Sequence, residues 1–450
     1  MGDKWGDKWP YKTVEKISKK VAMGPFGSSI KVSTFVDEGV PVISGQHLHG
    51  FRLDDTPGYK FITEDHANKL KNTNAFKGDI VFTHAGNIGQ VAYIPASSIF
   101  DRYVLSQRQF YMRCDVSQAI PEFVTYYFHS PEGRHKLLAN ASQVGVPSIS
   151  RPVSNLKTIT IPVPPISEQR AIAHILGSLD DKIELNQQMA QTLESIARAI
   201  FKSWFVDFDP VKAKMEGKQP EGMTEEIAAL FPDRLVDSEL EMIPEGWDIA
   251  TMQDLGTIKG GATPSTKNPD YWEGGTNHWI TPKDMSNLDS IVVLDTSRKI
   301  TDSGMQRISS RQLPAGTVLM SSRAPVGYLA ISAIPISINQ GFIAIVCNKS
   351  IPNSYVLYLL ESNMDKIKMS SGGSTFSEIS KRNFRPIKIL LPNKDLLVKF
   401  NEIIEPIVDK MTRLQREVTT LSSLRDALLP KLISGELRIK DFERFLGKVA

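Results

Sequence analysis

Glycine-containing loops with small polar and basic residues recur along the chain and carry the side chains best suited to binding chemistry. They are GPFGSS (24–29), THAGNIG (83–89), SQVGVPS (142–148), GGATPSTK (260–267), SSRAPVG (321–327) and SSGGST (370–375). Glycine lets the backbone come close to a ligand, while hydroxyl, amide and cationic side chains donate hydrogen bonds to phosphates and base edges. Any one loop could be a plain hairpin turn, but their matched placement in two halves of the chain favours a shared binding surface.

The side chains predicted to contact bases or phosphates lie in or near these loops. They are Ser28, Gln46, His84, Asn87, Gln107, Arg108 and Gln143 in the first half, and Thr266, Lys267, Lys283, Arg323, Asn339, Gln340, Ser374 and Thr375 in the second. Arg323 suits bidentate contact with guanine or contact with a phosphate, and amide side chains suit adenine. Gln107 and Gln340 precede strands and could instead satisfy backbone groups, so both interpretations of these residues stay open.

Sequence signatures of catalysis are missing. The chain has no GxxxxGK[ST] phosphate loop, no GxGxxG, no HExxH, no GxSxG and no Asn-Pro-Pro-aromatic or Asp-Pro-Pro-aromatic motif of an amino-methyltransferase. His47 and His49 could share a metal, but a solvated pair is the favoured interpretation. Cys114 and Cys347 have no Cys or His neighbours at ligand spacing and are predicted to pack. The sequence therefore predicts a non-catalytic chain without a metal site.

Two long helices are predicted to position the loops. The first carries Ile172, Leu176, Leu179, Ile183, Asn186, Ala190, Leu193, Ala197, Ile200 and Trp204, and the second, which repeats this spacing near the C-terminus, carries Phe400, Ile404, Ile407, Met411, Leu414, Val418, Leu421, Arg425, Leu428 and Leu432. These positions alternate in steps of four and three, which is the seam of a coiled coil. Because the order is domain, helix, domain, helix, we expect the helices to pair antiparallel with one domain at each end.

Two seam positions break the apolar pattern, and a proline lies between seam positions of the second helix. Asn186 and Arg425 are predicted to fix the register of the pair at some cost in stability. Pro406 lacks a backbone N–H, so we expect a short irregular opening in the first turns of the second helix.

The two halves also resemble each other in sequence. Residues 76–95 and 313–332 both give a turn glycine, a strand, a polar glycine-bearing loop and a second strand. SQRQFYMRC (106–114) and NQGFIAIVC (339–347) follow, and a short helix, a strand and a long helix come next in both halves. The predicted fold is α+β, with two β-rich mixed globular domains separated by a pair of long antiparallel coiled-coil helices and related by an internal pseudo-two-fold repeat.

Domain boundaries follow from this pattern. The predicted segments are a first β-rich globular domain (1–165), a first long helix (166–206), an acidic connector (207–246), a second β-rich globular domain (247–392), a second long helix (393–435) and a C-terminal tail (436–450).

Composition is that of a globular protein, with 41% hydrophobic and 23% charged residues among 450. Residues 206–246 carry a net charge of −7, so the remainder carries +10, which suits a polyanionic partner. No apolar run is long enough to span a membrane and the N-terminus lacks a secretory core, so a cytoplasmic location is expected.

Several runs resemble the specificity subunit of type I restriction-modification systems, and the resemblance covers essentially the whole chain. They are GPFGSS from Gly24, PVPPISEQRAIAHILGSLDDKIELNQ from Pro162, FVDFDPVKAKMEGKQPEGM from Phe205, TPSTKNPDYWEGGTNHWITPKDM from Thr263 and LRDALLPKLISGEL from Leu424. The resemblance implies that the chain is not an enzyme. It implies two target recognition domains that each read one half of a split, asymmetric sequence in double-stranded DNA, with the paired helices setting the spacer.

The resemblance also implies partners. Two modification subunits, which bind S-adenosylmethionine and methylate adenine, would clamp onto the helices, motor-nuclease restriction subunits would join for cleavage, and this chain itself would bind no cofactor. Candidate docking residues outside the seam are Glu168, Gln169, Arg170, Gln187, Gln188 and Lys399. The alternatives are a DNA-independent protein scaffold, and a self-contained restriction-methyltransferase whose catalytic sequence would have to lie on another chain.

Overall fold

The computed structural model describes residues 9–27, 29–142, 145–372 and 377–439. The chain divides into two units: unit 1 comprises Met1–Lys182 together with Leu421–Ala450, and unit 2 comprises Ile183–Thr420. Unit 1 is therefore built from two separate stretches of sequence, whereas unit 2 is continuous. Among the described residues, no helix is both long enough and apolar enough to cross a membrane.

The elements that begin in unit 1 are short, apart from its last helix. The strands are β1 (Tyr11–Thr13), β2 (Ser18–Met23), β3 (Val40–Ile43), β4 (Lys60–Ile62), β5 (Asn74–Phe76), β6 (Asp79–Thr83), β7 (Val91–Tyr93), β8 (Arg102–Leu105), β9 (Gln109–Cys114), β10 (Ala141–Ser142), β11 (Ser148–Ile149) and β12 (Thr160–Pro162). The helices are α1 (Glu64–Lys69), α2 (Pro121–His129), α3 (Pro131–Leu138), α4 (Pro152–Thr158) and α5 (Ile166–Phe205), which continues into unit 2.

Two four-stranded sheets form the body of unit 1. Their strand orders are β2-β9-β6-β7 and β4-β3-β8-β5, and two-stranded ladders join β1 to β12 and β10 to β11. The sequence of β6, DIVFT, is buried at every position because the strand lies inside its sheet between β9 and β7. A strand that is buried at every position is typical of a sheet covered on both faces.

Unit 2 repeats this arrangement. Its strands are β13 (Leu235–Ser238), β14 (Glu241–Pro244), β15 (Asp248–Thr251), β16 (Gly256–Lys259), β17 (Asn277–Ile280), β18 (Val292–Val293), β19 (Arg298–Ile300), β20 (Val318–Ser322), β21 (Val326–Ser332), β22 (Ser337–Ile338), β23 (Phe342–Cys347) and β24 (Lys388–Leu391). The helices are α6 (Asp209–Met215), α7 (Glu225–Ala229), α8 (Pro282–Met285), α9 (Asp302–Gln306), α10 (Asn353–Ser362), α11 (Met364–Met369), α12 (Lys381–Phe384) and α13 (Lys394–Ser434), whose last part belongs to unit 1.

The sheets of unit 2 have the strand orders β16-β23-β20-β21-β18 and β19-β17-β22, with β15 paired to β24 and β13 paired to β14. The antiparallel order β16-β23-β20-β21 corresponds to β2-β9-β6-β7 in unit 1. Each unit also has one matched parallel pair, β3 with β8 and β17 with β22. The predicted mixed, β-rich architecture of both halves is confirmed.

Backbone hydrogen bonds at matched positions confirm the internal duplication. The N–H of Gly78 donates to the carbonyl of Ile94 at 2.7 Å, and the N–H of Gly316 donates to the carbonyl of Ser332 at 2.7 Å. The step in sequence from Gly78 to Gly316 equals the step from Ile94 to Ser332. The β1–β12 and β15–β24 ladders match as well, since Thr13 lies opposite Thr160 and Thr251 lies opposite Lys388.

The long helices run in opposite directions. In unit 1, the early residue Glu168 of α5 accepts a hydrogen bond from Arg438, just beyond α13, at 2.8 Å. Further along α5, Asp180 accepts one from Arg425, earlier in α13, at 2.9 Å. In unit 2 the end of α5 meets the beginning of α13, where the ring of Phe205 lies 5.1 Å from that of Phe400. The predicted antiparallel helix pair is therefore confirmed.

The seam residues are buried or half-buried, as the heptad pattern predicts. Asn186 is completely buried, and neither its Nδ2 nor its Oδ1 atom has a hydrogen-bond partner among the described residues. The opening predicted at Pro406 is wrong, because α13 is an uninterrupted helix from Lys394 to Ser434. Pro406 is exposed, so the Glu402 carbonyl that it leaves without a helical partner can be hydrated, which lowers the cost of the proline.

Candidate nucleic-acid interface

Three of the side chains predicted in unit 2 line one cavity. The space has a volume of about 490 Å³ and is lined by Thr281, Pro282, Lys283, Ser286, Arg323, Ala324, Tyr328 and Asn339. Lys283 lies in α8, Arg323 directly follows β20 and Asn339 directly follows β22, so the fold assembles them. The lining offers one guanidinium, one ammonium, an amide and hydroxyl groups, which are the donors and acceptors that contact nucleic acids.

The loops around this cavity are held by local geometry. The N–H of Thr281 donates to the Asp284 carboxylate at 2.8 Å in a capping box that fixes the start of α8. A Cβ at Gly341 would lie 2.8 Å from the Pro282 ring, so glycine is required for the β22–β23 loop to approach α8. In the same loop, Oδ1 of Asn339 accepts a hydrogen bond from the Gly341 N–H at 2.8 Å.

Arg323 directly follows β20 and is joined to a distant segment. It forms an isolated antiparallel bridge with Glu378, and the N–H of Ile379 donates to the carbonyl of Ser322 at 3.0 Å. Nη1 of Arg323 lies 4.0 Å from Oε2 of Glu378, with 37% and 51% of the two side chains exposed. The guanidinium is therefore close to a carboxylate and still accessible to a ligand.

The loop 260–267 lies against the segment of Asn339 and Gln340. A Cβ at Gly261 would be 1.9 Å from the carbonyl oxygen of Ile338, so only glycine permits this contact. The hydroxyl of Thr263 donates to Oε1 of Gln340 at 2.6 Å. Gln340 thus bonds a side chain of the neighbouring loop and not a backbone group. Thr266 and Lys267 are exposed further along the loop.

Lys381 belongs to this surface and was missed by the sequence analysis. Its Nζ lies 3.1 Å from the position that a Cβ would take on Gly260, and the bridge at Glu378 holds the segment that leads to it. Within the described ranges, neither Lys381 nor Lys283 has an ion-pair partner. The basic run KRN after Ser380 could have indicated this role of Lys381. It was not recognised because it lies far in sequence from the loop at Gly260.

In unit 1, His84, Gln107 and Arg108 are brought together where the β6–β7 hairpin meets the loop before β9. The His84 N–H donates to the Arg108 carbonyl at 2.9 Å, and Nε2 of His84 donates to the Gln107 carbonyl at 3.1 Å. The Arg108 guanidinium lies 3.2 Å from the position of a Cβ on Gly86. The side chains of Gln107 and Arg108 are exposed.

Gln107 satisfies backbone groups, which is the structural one of the two roles left open for it. Its amide Nε2 donates to the backbone carbonyls of Gly27 and Ile30, and so holds the loop that contains Gly27. Gln46 lies elsewhere, since its Nε2 donates to the Gly58 carbonyl at 3.3 Å. Asn87 is exposed on the hairpin between β6 and β7. Four further candidates lie outside the described residues: Ser28, Gln143, Ser374 and Thr375.

The partner-docking prediction is wrong for two residues at the start of α5. Gln169 is completely buried, where its side chain accepts from the Ile120 N–H and donates to the carbonyls of Gln118 and Pro164. Glu168 is 9% exposed and accepts hydrogen bonds from Trp9 Nε1 at 3.1 Å and from Arg438. These polar residues serve the interior of unit 1 and not a helix surface.

The remaining docking candidates are accessible. Arg170 is exposed and lines a second cavity of about 570 Å³ within unit 1. Gln188 is exposed, Gln187 is half-buried, and Lys399 pairs with Glu226 at 2.9 Å. Their docking role stays a prediction.

His47 is not the solvated residue that its sequence context favours. It is 1% exposed, stacks on Tyr59 with ring centroids 4.2 Å apart and bonds the Gly58 carbonyl at 2.9 Å, so it is a structural residue. Across the described ranges, no group of three or more His, Cys, Asp and Glu residues is placed to hold a metal ion. Cys114 is buried and Cys347 half-buried without a disulfide, as predicted.

Comparison with known proteins adds a family to this geometry. A family model described as the type I restriction modification DNA specificity domain matches residues 26–195 and 244–421. The specificity subunit of the type I restriction enzyme HindI of Haemophilus influenzae is 29% identical over 404 residues, which cover 80% of this chain and 87% of that protein. The specificity subunit of the type I restriction enzyme MjaIX of Methanocaldococcus jannaschii is 36% identical over 178 residues, covering 38% of this chain and 41% of that protein.

One solved structure matches over almost the whole length. The crystal structure of the type I restriction-modification S subunit from M. genitalium has a TM-score of 0.60 at 17% identity, covering 96% of this chain and 98% of that one. At this identity the likeness shows a shared fold.

Proposed function

The chain belongs to the family of type I restriction-modification DNA specificity subunits, and from this premise we propose that its two recognition domains each read one part of a bipartite, asymmetric DNA sequence. Its function is DNA sequence specificity, which it provides as the recognition component of a type I restriction-modification complex and not as a catalyst. The observation that carries the proposal is the pair of matched loop clusters. One duplicated backbone places polar and cationic side chains beside the β6–β7 hairpin in unit 1 and beside the β20–β21 turn in unit 2.

The difference between the two clusters supports an asymmetric site. His84, Gln107 and Arg108 lie together in unit 1, whereas Lys283, Arg323 and Asn339 line the cavity of unit 2. Because base edges are distinguished by their patterns of donors and acceptors, two domains whose corresponding loop clusters carry different side chains recognise different bases.

Phosphate contacts follow from the cations that lack carboxylate partners. Lys267, Lys283 and Lys381 surround the unit 2 loops, and no described carboxylate pairs with them. An ammonium group contacts a phosphate as a point charge and carries no base preference. We assign these three lysines to orientation of the duplex.

The first experiment measures binding of the chain, assembled with its methyltransferase subunits, to duplex DNA at increasing salt. Phosphate contacts release counterions, so the logarithm of the binding constant is expected to fall steeply and linearly with the logarithm of salt concentration. A flat dependence, or equal affinity for every sequence, would reject the proposal in favour of a DNA-independent scaffold.

The paired helices are proposed to set the spacer between the two parts of the site. We would insert four residues, about one helical turn, within 187–194 of α5 and at the matched positions 415–422 of α13. The expected methylation map has a changed spacer and unchanged half-sites. A map with altered half-sites, or with the original spacer, would refute this role.

The partners of the complex include DNA, methyltransferase subunits and restriction subunits. We propose that two modification subunits bind one copy of this chain and that they, not this chain, bind S-adenosylmethionine. Arg170, Gln187, Gln188 and Lys399 stay candidates for their docking. Mass measurement of the assembled complex tests the stoichiometry. Equilibrium dialysis with labelled S-adenosylmethionine is expected to show binding to the complex and none to the isolated chain.

A further inference from the structure

The repeat provides the same backbone bridge twice but places a charge pair on it only once. In unit 2 the bridge joins Arg323 to Glu378, and in unit 1 it joins Ala85 to Ser148. The neighbouring hydrogen bonds match, since the Ile149 N–H donates to the His84 carbonyl at 2.8 Å just as Ile379 donates to Ser322 at 3.0 Å. The difference therefore lies in the side chains and not in the backbone that carries them.

We propose that Arg323 and Glu378 read a G·C base pair together. Arg323 donates two hydrogen bonds to O6 and N7 of guanine, and Glu378 accepts one from N4 of the paired cytosine. The inference rests on the proposed function and specifies it for unit 2. Glu378 thereby becomes a specificity residue, and Arg323 is a base reader and not a phosphate anchor.

The carboxylate decides between these two roles of Arg323. Oε2 of Glu378 lies 4.0 Å from Nη1 of Arg323, and a phosphate bound to this guanidinium would bring a second negative charge close to the first. Like charges at such a distance repel each other. The nearby ammonium groups of Lys283 and Lys381, which have no described carboxylate partner, are better placed to contact phosphates.

The chemistry of the two side chains selects the base pair. A guanidinium donates two parallel hydrogen bonds, and in the major groove only guanine offers two adjacent acceptors, O6 and N7. The paired cytosine presents its N4 amino donor beside them, and a carboxylate accepts from it. An A·T pair places the adenine amino donor between the N7 and O4 acceptors, which leaves the Arg323 fork without two neighbouring acceptors.

The backbone of both residues is fixed before DNA arrives. The N–H of Glu378 donates to the Gly372 carbonyl and the N–H of Gly372 donates to the Glu378 carbonyl, both at 3.0 Å. Arg323 follows the buried strand β20, whose five residues are all buried. Side chains carried on such rigid segments lose little freedom when they bind.

The test uses the complete chain assembled with its methyltransferase subunits, and a methylation map of the wild-type complex to define the site. Duplexes then carry 7-deazaguanine, which lacks the N7 acceptor, or N4-methylcytosine, which loses its major-groove amino hydrogen, at each G·C pair in turn. At one G·C pair, we expect both analogues to weaken wild-type binding by on the order of tenfold to a hundredfold.

The variants assign each effect to a residue. Arg323→Ala is expected to become insensitive to 7-deazaguanine, and Glu378→Ala insensitive to N4-methylcytosine, at that same base pair. Arg323→Lys keeps the charge but not the fork, so it should lose discrimination while keeping salt-dependent affinity. The matched control is Glu239→Ala, because Glu239 also pairs with a cation and is also 51% exposed, but lies against Lys388 in β24.

Each other outcome overturns the inference. If no G·C base pair of the site is sensitive to both analogues, Arg323 and Glu378 do not read a base pair together. If Arg323→Ala weakens binding equally for all duplexes, Arg323 contacts a phosphate and not a base. Variants that keep the wild-type analogue sensitivity remove both residues from base contact. If wild-type binding itself shows no sequence preference, the proposed function fails, which is a different result from loss at one base pair. Thermal unfolding of each variant confirms that it is folded.

Discussion

The two recognition domains share a backbone and differ in what it carries. The hydrogen bond donated by Gly78 in unit 1 recurs at Gly316 in unit 2 with an equal distance. The bridge that carries Ala85 and Ser148 in unit 1 carries Arg323 and Glu378 in unit 2. Because the shared bonds are between backbone groups, loop side chains can change without loss of the sheet. This separation explains how one duplicated fold serves two different recognition tasks.

The same comparison holds where each domain meets the long helices. In unit 1, Asp180 of α5 accepts hydrogen bonds from the Tyr126 hydroxyl at 2.5 Å and from Arg425 at 2.9 Å. In unit 2, Tyr358 holds the corresponding place in α10, and its buried hydroxyl has no partner among the described residues. When the two seams are aligned, Val408 corresponds to Asp180 and Ala197 to Arg425. The contact between α2 and the long helices in unit 1 is therefore polar, with its polar groups paired. The contact between α10 and the long helices in unit 2 is apolar.

Removing Arg425 is expected to have the largest effect. Only 19% of Arg425 and 14% of Asp180 are exposed, so Arg425→Met leaves a carboxylate in the interior without its cation. Breaking such a pair costs about 3 kcal/mol of unfolding free energy. Denaturant unfolding, with hydrogen exchange to localise the loss to unit 1, measures it. Arg416→Met is the control, because Arg416 is exposed on the same helix. An equal effect of both variants would contradict the prediction.

Acid is expected to weaken unit 1 through His129. Burial lowers the pKa of His129 to about 4, and the charges of Arg134 and Arg425 act in the same direction. The unfolded chain, with an ordinary histidine pKa, therefore binds more protons between about pH 6.5 and 4. Stability is complete above this window and falls as the pH drops through it, by about 3 kcal/mol in total.

Hydrogen exchange at pH 7 and pH 5 measures the effect, which should be confined to unit 1. At the corresponding place in unit 2, Glu361 pairs with Arg198 at 2.9 Å. His129→Gln should reduce the pH dependence. Equal acid sensitivity of the two units would exclude His129 as its source.

Loss of one tyrosine hydroxyl should lower the stability of unit 1 but not of unit 2. Tyr126→Phe removes a hydrogen bond to a carboxylate and is expected to cost about 2 kcal/mol. Tyr358→Phe removes a buried hydroxyl that has no described partner, so its effect should be about 0 kcal/mol or slightly stabilising. The difference in unfolding free energy between the two variants is the measurement. A larger loss for Tyr358→Phe would show that its hydroxyl is bonded in solution.

The smallest expected effect concerns Lys381. Lys381→Gln should lower the slope of log binding constant against log salt by about one unit and weaken binding to all sequences equally. Arg323→Ala should instead change discrimination at one base pair. The control is Lys410→Gln, since Lys410 is exposed on α13 outside the loops. A sequence-dependent effect of Lys381→Gln would make it a base reader.

Periodic and repeated features were predictable from the sequence. The heptads of α5 and α13, their antiparallel pairing and the duplicated strands all follow from local spacing and from matching segments. The continuity of α13 at Pro406 was not predictable from the sequence, because it depends on the exposure of one helix turn. Nor was the burial of Gln169, a polar residue whose three hydrogen bonds come from other parts of unit 1.

The binding surface was predictable only in part. Lys283, Arg323 and Asn339 were identified as polar residues in or near glycine-bearing loops, and they line one cavity. Glu378 and Lys381 were missed because their relevance comes from contacts with Arg323 and Gly260, which lie far away in sequence. Chain topology creates these contacts, and residue types in a single loop do not reveal them.

The split composition of unit 1 affects the order in which the protein can fold on the ribosome. Its apolar core includes Trp9 and Ile172 together with Leu429, Leu432 and Ile433 from the end of α13. The last three residues are synthesised only after all of unit 2. The N-terminal stretch of unit 1 therefore keeps part of its apolar surface exposed until the end of α13 is synthesised. Unit 2 can complete its own core during translation.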